Sequence, residues 1–111
     1  MEEVIYDTNI LINILKSGKS LAKGFTTVFN VIEFPKALEL KELGVIYPTA
    51  ADYDESLRIS ASLLKIGKPL PAIDILIASI AIRRGLPLRT SDEHFKHIKS
   101  VRKEFKIEQV R

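Results

Sequence analysis

Four carboxylates interrupt apolar segments of this chain: Asp7 in Val4-Ile5-Tyr6-Asp7-Thr8-Asn9-Ile10, Glu33 in Phe29-Asn30-Val31-Ile32-Glu33-Phe34, Asp74 in Ala72-Ile73-Asp74-Ile75-Leu76-Ile77 and Asp92 in Leu88-Arg89-Thr90-Ser91-Asp92. An ionised carboxylate taken out of water costs several kcal/mol unless it is paired, hydrogen-bonded or metal-bound. Carboxylates with no cysteine in the chain form a hard oxygen ligand set. Such a set suits Mg²⁺ or Mn²⁺, which retain waters and share their coordination with substrate phosphate. Ions held this way can activate water and stabilise the departing oxygen of a phosphodiester. A fold that gathers the four acids would make an acidic pocket capable of that chemistry.

Each acid also has a structural explanation. Asp7 can cap the helix that follows it, a contribution of about 1 kcal/mol. Glu33 can be a surface acid, with Glu39 and Glu42 as rivals for any role given to it. Asp74 falls in the first turn of a helix, where it complements the macrodipole, and Asp92 can cap the helix that carries His94 and Phe95. His94 and His97 lie three residues apart, but no third nitrogen ligand accompanies them, which disfavours a histidine metal site. The chain has no GxxxxGK[ST] or GxGxxG loop. Neither histidine belongs to a recognisable serine-hydrolase arrangement.

The elements that must position these acids follow from periodicity. Glu2 to Tyr6 reads as a buried strand ending at Asp7, and Asp7-Thr8-Asn9 starts a helix carrying Ile10, Leu11, Ile14 and Leu15 to Ser17-Gly18. Lys19 to Gly24 reads as a polar loop, and Thr26 or Thr27 caps a second helix that Pro35 disturbs. Helical spacing resumes through Ala37, Leu38, Leu40 and Leu43 to Gly44, with Val45-Ile46-Tyr47 a minimal strand. Asp52 to Ile66 is an amphipathic helix with Tyr53, Leu57, Ala61 and Leu64 on one face. Ala72 to Arg84 is a helix apolar nearly all round, and therefore central. Leu86 to Thr90 is a strand, Asp92 to Lys99 a short helix and Phe105 to Val110 a final strand. The predicted order is β-α-α-β-α-α-β-α-β, an α/β domain with a parallel sheet covered on both faces. Parallel sheets bind ligands at the carboxyl ends of their strands, where strand order reverses. Asp7 and Asp92 each fall just past such an end.

Composition sets the outer bounds. A chain of 111 residues, 46% of them hydrophobic, makes a single compact domain spanning 1–111. No apolar run is long enough to span a bilayer, the acidic Met1-Glu2-Glu3 start shows no secretory signal, and the chain contains no cysteine. A cytoplasmic protein without disulfides is the expectation. The net charge of +3 is modest, but Arg83 to Arg111 holds nine Lys/Arg against four acids. A basic surface around an acidic pocket suits a polyanion whose reacting phosphate is held through cations. A solvated, charge-rich surface is the plainer alternative.

Taken together, these residues resemble a PIN domain, the small nuclease fold that includes VapC-type toxins of toxin–antitoxin pairs. The resemblance runs from Val4 to Val110 and is carried by Ile5-Tyr6-Asp7-Thr8-Asn9, by Ile73 to Ala81, and by Leu88 to Phe95, with an acid-bearing helix between the first two. It implies that Asp7, Glu33, Asp74 and Asp92 are an acidic quartet for Mg²⁺ or Mn²⁺, with Asn9 orienting Asp7 and Thr90 holding the site or contacting phosphate. It further implies a metal-dependent endoribonuclease that leaves a 5′-phosphate and a 3′-hydroxyl, acts as a homodimer and is inhibited by a small antitoxin protein. Arg83, Arg84, Arg89 and Lys96 are the candidate RNA contacts. Two departures accompany the likeness: Asp7 and Glu33 are only 26 positions apart, and Pro35 stands where the family continues a helix. The competing readings are a catalytically inactive PIN-like RNA-binding or interaction module and a phosphotransfer receiver. A receiver would need neighbouring acids after its first strand and a lysine after its last.

Overall fold

The protein, described here over residues 3–111 by a computed structural model, is an α/β domain built on one five-stranded sheet. Its elements are β1 (Ile5–Tyr6), α1 (Thr8–Lys16), β2 (Leu21–Thr27), α2 (Val28–Glu33), a 3₁₀ turn (Pro35–Glu39), β3 (Lys41–Ile46), α3 (Ala50–Lys65), α4 (Ala72–Arg84), β4 (Leu88–Thr90), α5 (Phe95–Val101) and β5 (Ile107–Gln109). The strand order is β3-β2-β1-β4-β5, and every pairing is parallel. The chain winds outward from β1 in one direction through β2 and β3, and in the other through β4 and β5. The switch point therefore lies between β1 and β4, where Ile5 pairs with Leu88 and Tyr6 with Arg89. Glu2, the expected start of the first strand, lies outside the described residues.

β1 shows how the two faces are filled. Successive side chains of a strand point to opposite sides, so Ile5 enters a core with Ile59, Leu63, Ile77, Ile80, Leu88, Phe95 and Phe105 beneath α3, α4 and α5. Val4 and Tyr6 enter the other core with Leu11, Ala37 and Leu40 beneath α1. α4 supplies Ile75, Ile77, Ala78, Ser79, Ile80 and Ala81 to the buried interior, in keeping with a pattern apolar nearly all round.

Two expectations fail between Lys19 and Gly44. The expected loop from Lys19 to Gly24 is mostly β2, a central strand, and the helical spacing expected to run to Gly44 is a 3₁₀ turn followed by β3. The inward positions of β2 are Ala22, Gly24 and Thr26, small or polar residues that carry no hydrophobic alternation. Close approach explains the glycine: a Cβ on Gly24 (φ +132°) would lie 2.8 Å from the Val4 carbonyl and 3.2 Å from the Tyr6 ring. Thr26 Oγ1 donates to the Tyr6 carbonyl at 2.8 Å, satisfying a buried hydroxyl. Gly44 terminates no helix; it lies in β3 against the Phe25 ring.

The face of α3 also differs from expectation. Tyr53, Leu57 and Leu64 are exposed, whereas Ile59, Leu63 and the carboxylate of Asp52 are buried. No helix among the described residues is long and apolar enough to cross a membrane.

Candidate metal centre at the carboxyl edge of the sheet

Asp7 leaves β1 at the switch point. It caps α1, its Oδ1 accepting the Thr8 N–H at 3.0 Å. Its backbone N–H continues the sheet by donating to the Arg89 carbonyl at 2.9 Å, which fixes the carboxylate beside the end of β4. There the buried Thr90 donates its hydroxyl to Asp7 Oδ2 at 2.7 Å and accepts the Asp92 N–H at 3.0 Å. One threonine, 83 positions along the chain from Asp7, thus ties the first acid to the last. Asn9 approaches Asp7 Oδ2 only at 3.5 Å, and its stronger contact is to the Ser91 N–H at 3.2 Å. A side-chain bond that long is weak, so Asn9 mainly ties the β1 and β4 ends together.

Glu33 is the last residue of α2 and is exposed. Phe34 leaves the helix at φ −143° and ψ 78°, as the proline at 35 demands of its predecessor. That break leaves Glu33 at the helix end, where Oε1 accepts the Thr8 hydroxyl at 2.9 Å. Asp74 sits in the first turn of α4, half-buried. Asp92 lies in the turn before α5, where Oδ1 accepts the His94 N–H and meets His94 Nδ1, both at 2.9 Å.

Electrostatics bind the four together. Burial pushes the Asp74 carboxyl up to about 6, and the charges of Asp92, Asp7 and Glu33 push in the same direction, with His94 a small opposing influence. Like charges within Coulombic range raise a carboxyl in this way. Among the described residues none of the four acids is ion-paired with lysine or arginine. Nor do three acidic or histidine side chains close into a ready-made cage there. The set is oxygen-only and anionic, and its repulsion is of the kind a divalent cation relieves. The residues present fit Mg²⁺ or Mn²⁺ on donor chemistry.

Three polar residues at this edge did not stand out in the sequence as site neighbours. Asn30 is fully buried and donates its amide to Asp7 Oδ1 and to Thr8 Oγ1, each at 3.0 Å. Thr27 holds the other end of that amide. Thr8 stands between Asn30 and Glu33. A signal was present: an asparagine inside Phe29-Asn30-Val31, three residues after a threonine, is a buried polar group that needs a partner.

The cations named as candidate RNA contacts occupy different surroundings. Arg83 and Arg84 stand at the far end of α4 from Asp74 and grip Asp52 at 3.1 and 3.0 Å. Arg89 pairs with Glu108 at 2.8 Å and lies 5.6 Å from the centroid of the Tyr6 ring. Lys96 is exposed on α5, the short helix that follows Asp92.

The shape of the chain matches solved structures closely. Against VapBC2 from Rickettsia felis, bound to a DNA fragment from its promoter, the TM-score is 0.78 at 18% identity, over 96% of this chain and 97% of the other. Against DNA-bound VapBC from Salmonella typhimurium it is 0.78 at 20% identity, over 98% of each chain. VapBC-5 from Mycobacterium tuberculosis, a member of a family of toxin–antitoxin systems, matches at 0.76 and 18% identity over 99% of this chain and 100% of the other. The fold is PIN-like. No family model and no curated protein sequence matches the chain. Likeness at these identities is a likeness of fold, and what the PIN-like scaffold does here has to be argued from its carboxyl edge.

Proposed function

We propose that the protein is a Mg²⁺- or Mn²⁺-dependent endoribonuclease and the toxin of a toxin–antitoxin pair. One observation carries the reading: Asp7, Glu33 and Asp92 lie close enough to Asp74 for their charges to raise it, and among the described residues none of the four is ion-paired with lysine or arginine. Asp52, the fully buried acid at the other end of α4, has such partners in Arg83 and Arg84. The VapBC structures of the same fold support the toxin assignment, and the PIN resemblance supports RNA as substrate.

Asp7, Asp74 and Asp92 would hold the cation, with Glu33 helping to place it or a second one. When bound, the ion supplies Lewis acidity that neutralises phosphate charge and activates water. Thr90, Thr8 and Asn30 orient Asp7 by donating to it. Hydrolysis forms a bond between the attacking water oxygen and phosphorus and breaks the bond from phosphorus to the 3′ oxygen. One proton leaves the water and one ends on the 3′-hydroxyl, leaving a 5′-phosphate on the other fragment. The exposed His94, which meets Asp92 Oδ1, and the exposed Lys96 on α5 would contact the RNA backbone, whereas Arg83 and Arg84 pair with Asp52.

The protein partners have a surface of suitable character. A groove of about 450 Å³ between α3 and α4 is lined by Tyr53, Leu57, Leu70, Ile75 and Leu76. An apolar groove with Tyr53 and Leu57 exposed on it suits a protein partner, here a small antitoxin or a second copy of the chain.

The test is Asp74→Asn. Cleavage of RNA in Mg²⁺ is expected to fall at least 100-fold while circular dichroism stays native. Undiminished cleavage would contradict the assignment. The competing reading, an inactive PIN-like RNA-binding module, has one observation in its favour: among the described residues no three ligands are closed into a cage. Mn²⁺ titration of the purified protein decides between them, since the inactive module would bind none.

A further inference from the structure

We propose that Asn30 is a positioning residue that locks two of the four carboxylates, Asp7 and Glu33, into one frame. The inference rests on the metal-centre reading above and deepens it. Asn30 is fully buried, in the middle of α2, and every polar atom of its side chain is engaged. Its Oδ1 accepts from the Thr27 backbone N–H at 3.3 Å and from the Thr27 hydroxyl at 2.6 Å. Its Nδ2 donates to Asp7 Oδ1 and to Thr8 Oγ1, each at 3.0 Å.

The amide has one workable orientation. Turned over, its NH₂ would face the Thr27 N–H and its oxygen would face a carboxylate, opposing donor to donor and acceptor to acceptor. Thr27 thus acts as an anchor: its N–H fixes where the Asn30 oxygen sits, and the oxygen fixes where the NH₂ points. The NH₂ then spends one hydrogen on each of two partners. The first goes directly to Asp7. The second occupies the Thr8 hydroxyl as acceptor, so the hydroxyl hydrogen is turned outward to Glu33 Oε1 at 2.9 Å. The order of donation, Thr27 to Asn30 to Thr8 to Glu33, runs one way, and reversing any link breaks the next.

This arrangement answers a problem specific to Glu33. It is the exposed acid of the four, at the last residue of a six-residue helix, with three rotatable bonds. Without a fixed donor its carboxylate would sample solvent and bring little to an ion held by Asp7. The relay couples it to the most firmly held acid in the site. Outer partners of this kind orient the ligands, and their loss commonly weakens metal binding about 10- to 100-fold.

Mn²⁺ binding to the full chain, followed by calorimetry and by the electron paramagnetic resonance of the ion, tests the proposal, with unfolding midpoints measured alongside in its absence. Asp7→Asn is the control: wild-type affinity in that variant contradicts the metal-centre reading itself. With that reading intact, Asn30→Leu is expected to weaken Mn²⁺ binding 10- to 100-fold in protein that is still folded. Thr8→Val keeps the backbone bond to Asp7 but cuts the relay, and is expected to weaken binding three- to tenfold. It should add nothing further in a Glu33→Gln background. A merely structural Asn30 would shift the unfolding midpoint and leave the affinity of folded protein within twofold of wild type, which overturns the proposal. If Asn30→Leu does not fold, the Thr8/Glu33 cycle decides: non-additive weakening supports the relay, and wild-type affinity in Thr8→Val or full additivity overturns it.

Discussion

The two ends of α4 treat buried acid in opposite ways. At its C-terminal end Arg83 and Arg84 converge on Asp52, which is fully buried, more so than any acid of the candidate site. Burial pushes the Asp52 carboxyl up, but the Arg84 hydrogen bond, the Thr49 backbone N–H and Arg83 outweigh it and hold the group down at about 2. At the N-terminal end Asp74 is less buried, yet burial and the charges of Asp92, Asp7 and Glu33 raise it to about 6. Depth alone therefore does not mark a functional acid. The mark is a buried charge for which the fold supplies like charges instead of a partner.

The comparison can be broken most severely through Asp52. Asp52→Ala removes both the helix-capping acceptor for Thr49 and the anion between two arginines. A loss of about 2–4 kcal/mol in urea unfolding is expected, with Mn²⁺ affinity of the folded fraction unchanged. A loss of Mn²⁺ binding there would show that the two ends of the helix are not independent.

Next in size, Mg²⁺ or Mn²⁺ should stabilise the wild-type protein at pH 7.5 by about 2.7 kcal/mol at one hundred times the dissociation constant. Thermal unfolding of Asp74→Asn should be insensitive to the same addition, and Asp52→Asn should respond as the wild type does.

pH separates the two acids with opposite sign. Asp52 has a folded value below its unfolded one, so its stabilisation is complete above about pH 4 and is lost as pH falls towards 2. That limb amounts to about 2 kcal/mol and should flatten in Asp52→Asn. Asp74 has a folded value above its unfolded one. Its protonated form folds without penalty, so stability is greatest below about pH 4 and falls as pH rises through 6. In metal-free buffer Asp74→Asn should therefore be more stable than wild type at pH 7.5, by about 1–2 kcal/mol after allowance for solvent screening. At pH 4 the difference should vanish. A destabilised Asp74→Asn at pH 7.5 would place Asp74 with Asp52 among the structural acids.

The same contrast explains what could be read from the sequence. β1, α1, α3, α4 and β4 announce themselves through hydrophobic periodicity and turn residues, and the switch-point placement of Asp7 and Asp92 follows from strand ends. β2 was hidden because a central strand facing tightly packed neighbours uses Ala22, Gly24 and Thr26 where pattern reading looks for branched hydrophobes. The exposed ridge of Tyr53, Leu57 and Leu64 was legible as apolar, but not its direction, because Ile59 and Leu63 offer the core an alternative face. Thr49-Ala50-Ala51-Asp52 has the spacing of a capping box, a local signal for Asp52 as a cap and not as a buried ion pair. Its arginines come from another helix, and sequence distance conceals them. Asn30 was legible as a type and not as a role, since its partner Asp7 is 23 residues away.

The central claim is that the N-terminal end of α4 joins an uncompensated acid site for a hard divalent cation. Calorimetric titration of Mn²⁺ into metal-free wild type, Asp74→Asn and Asp52→Asn at pH 7.5 tests it most directly. Binding by the wild type and by Asp52→Asn, with none by Asp74→Asn, is the predicted result. Absent binding in the wild type, or equal binding in Asp74→Asn, would contradict it.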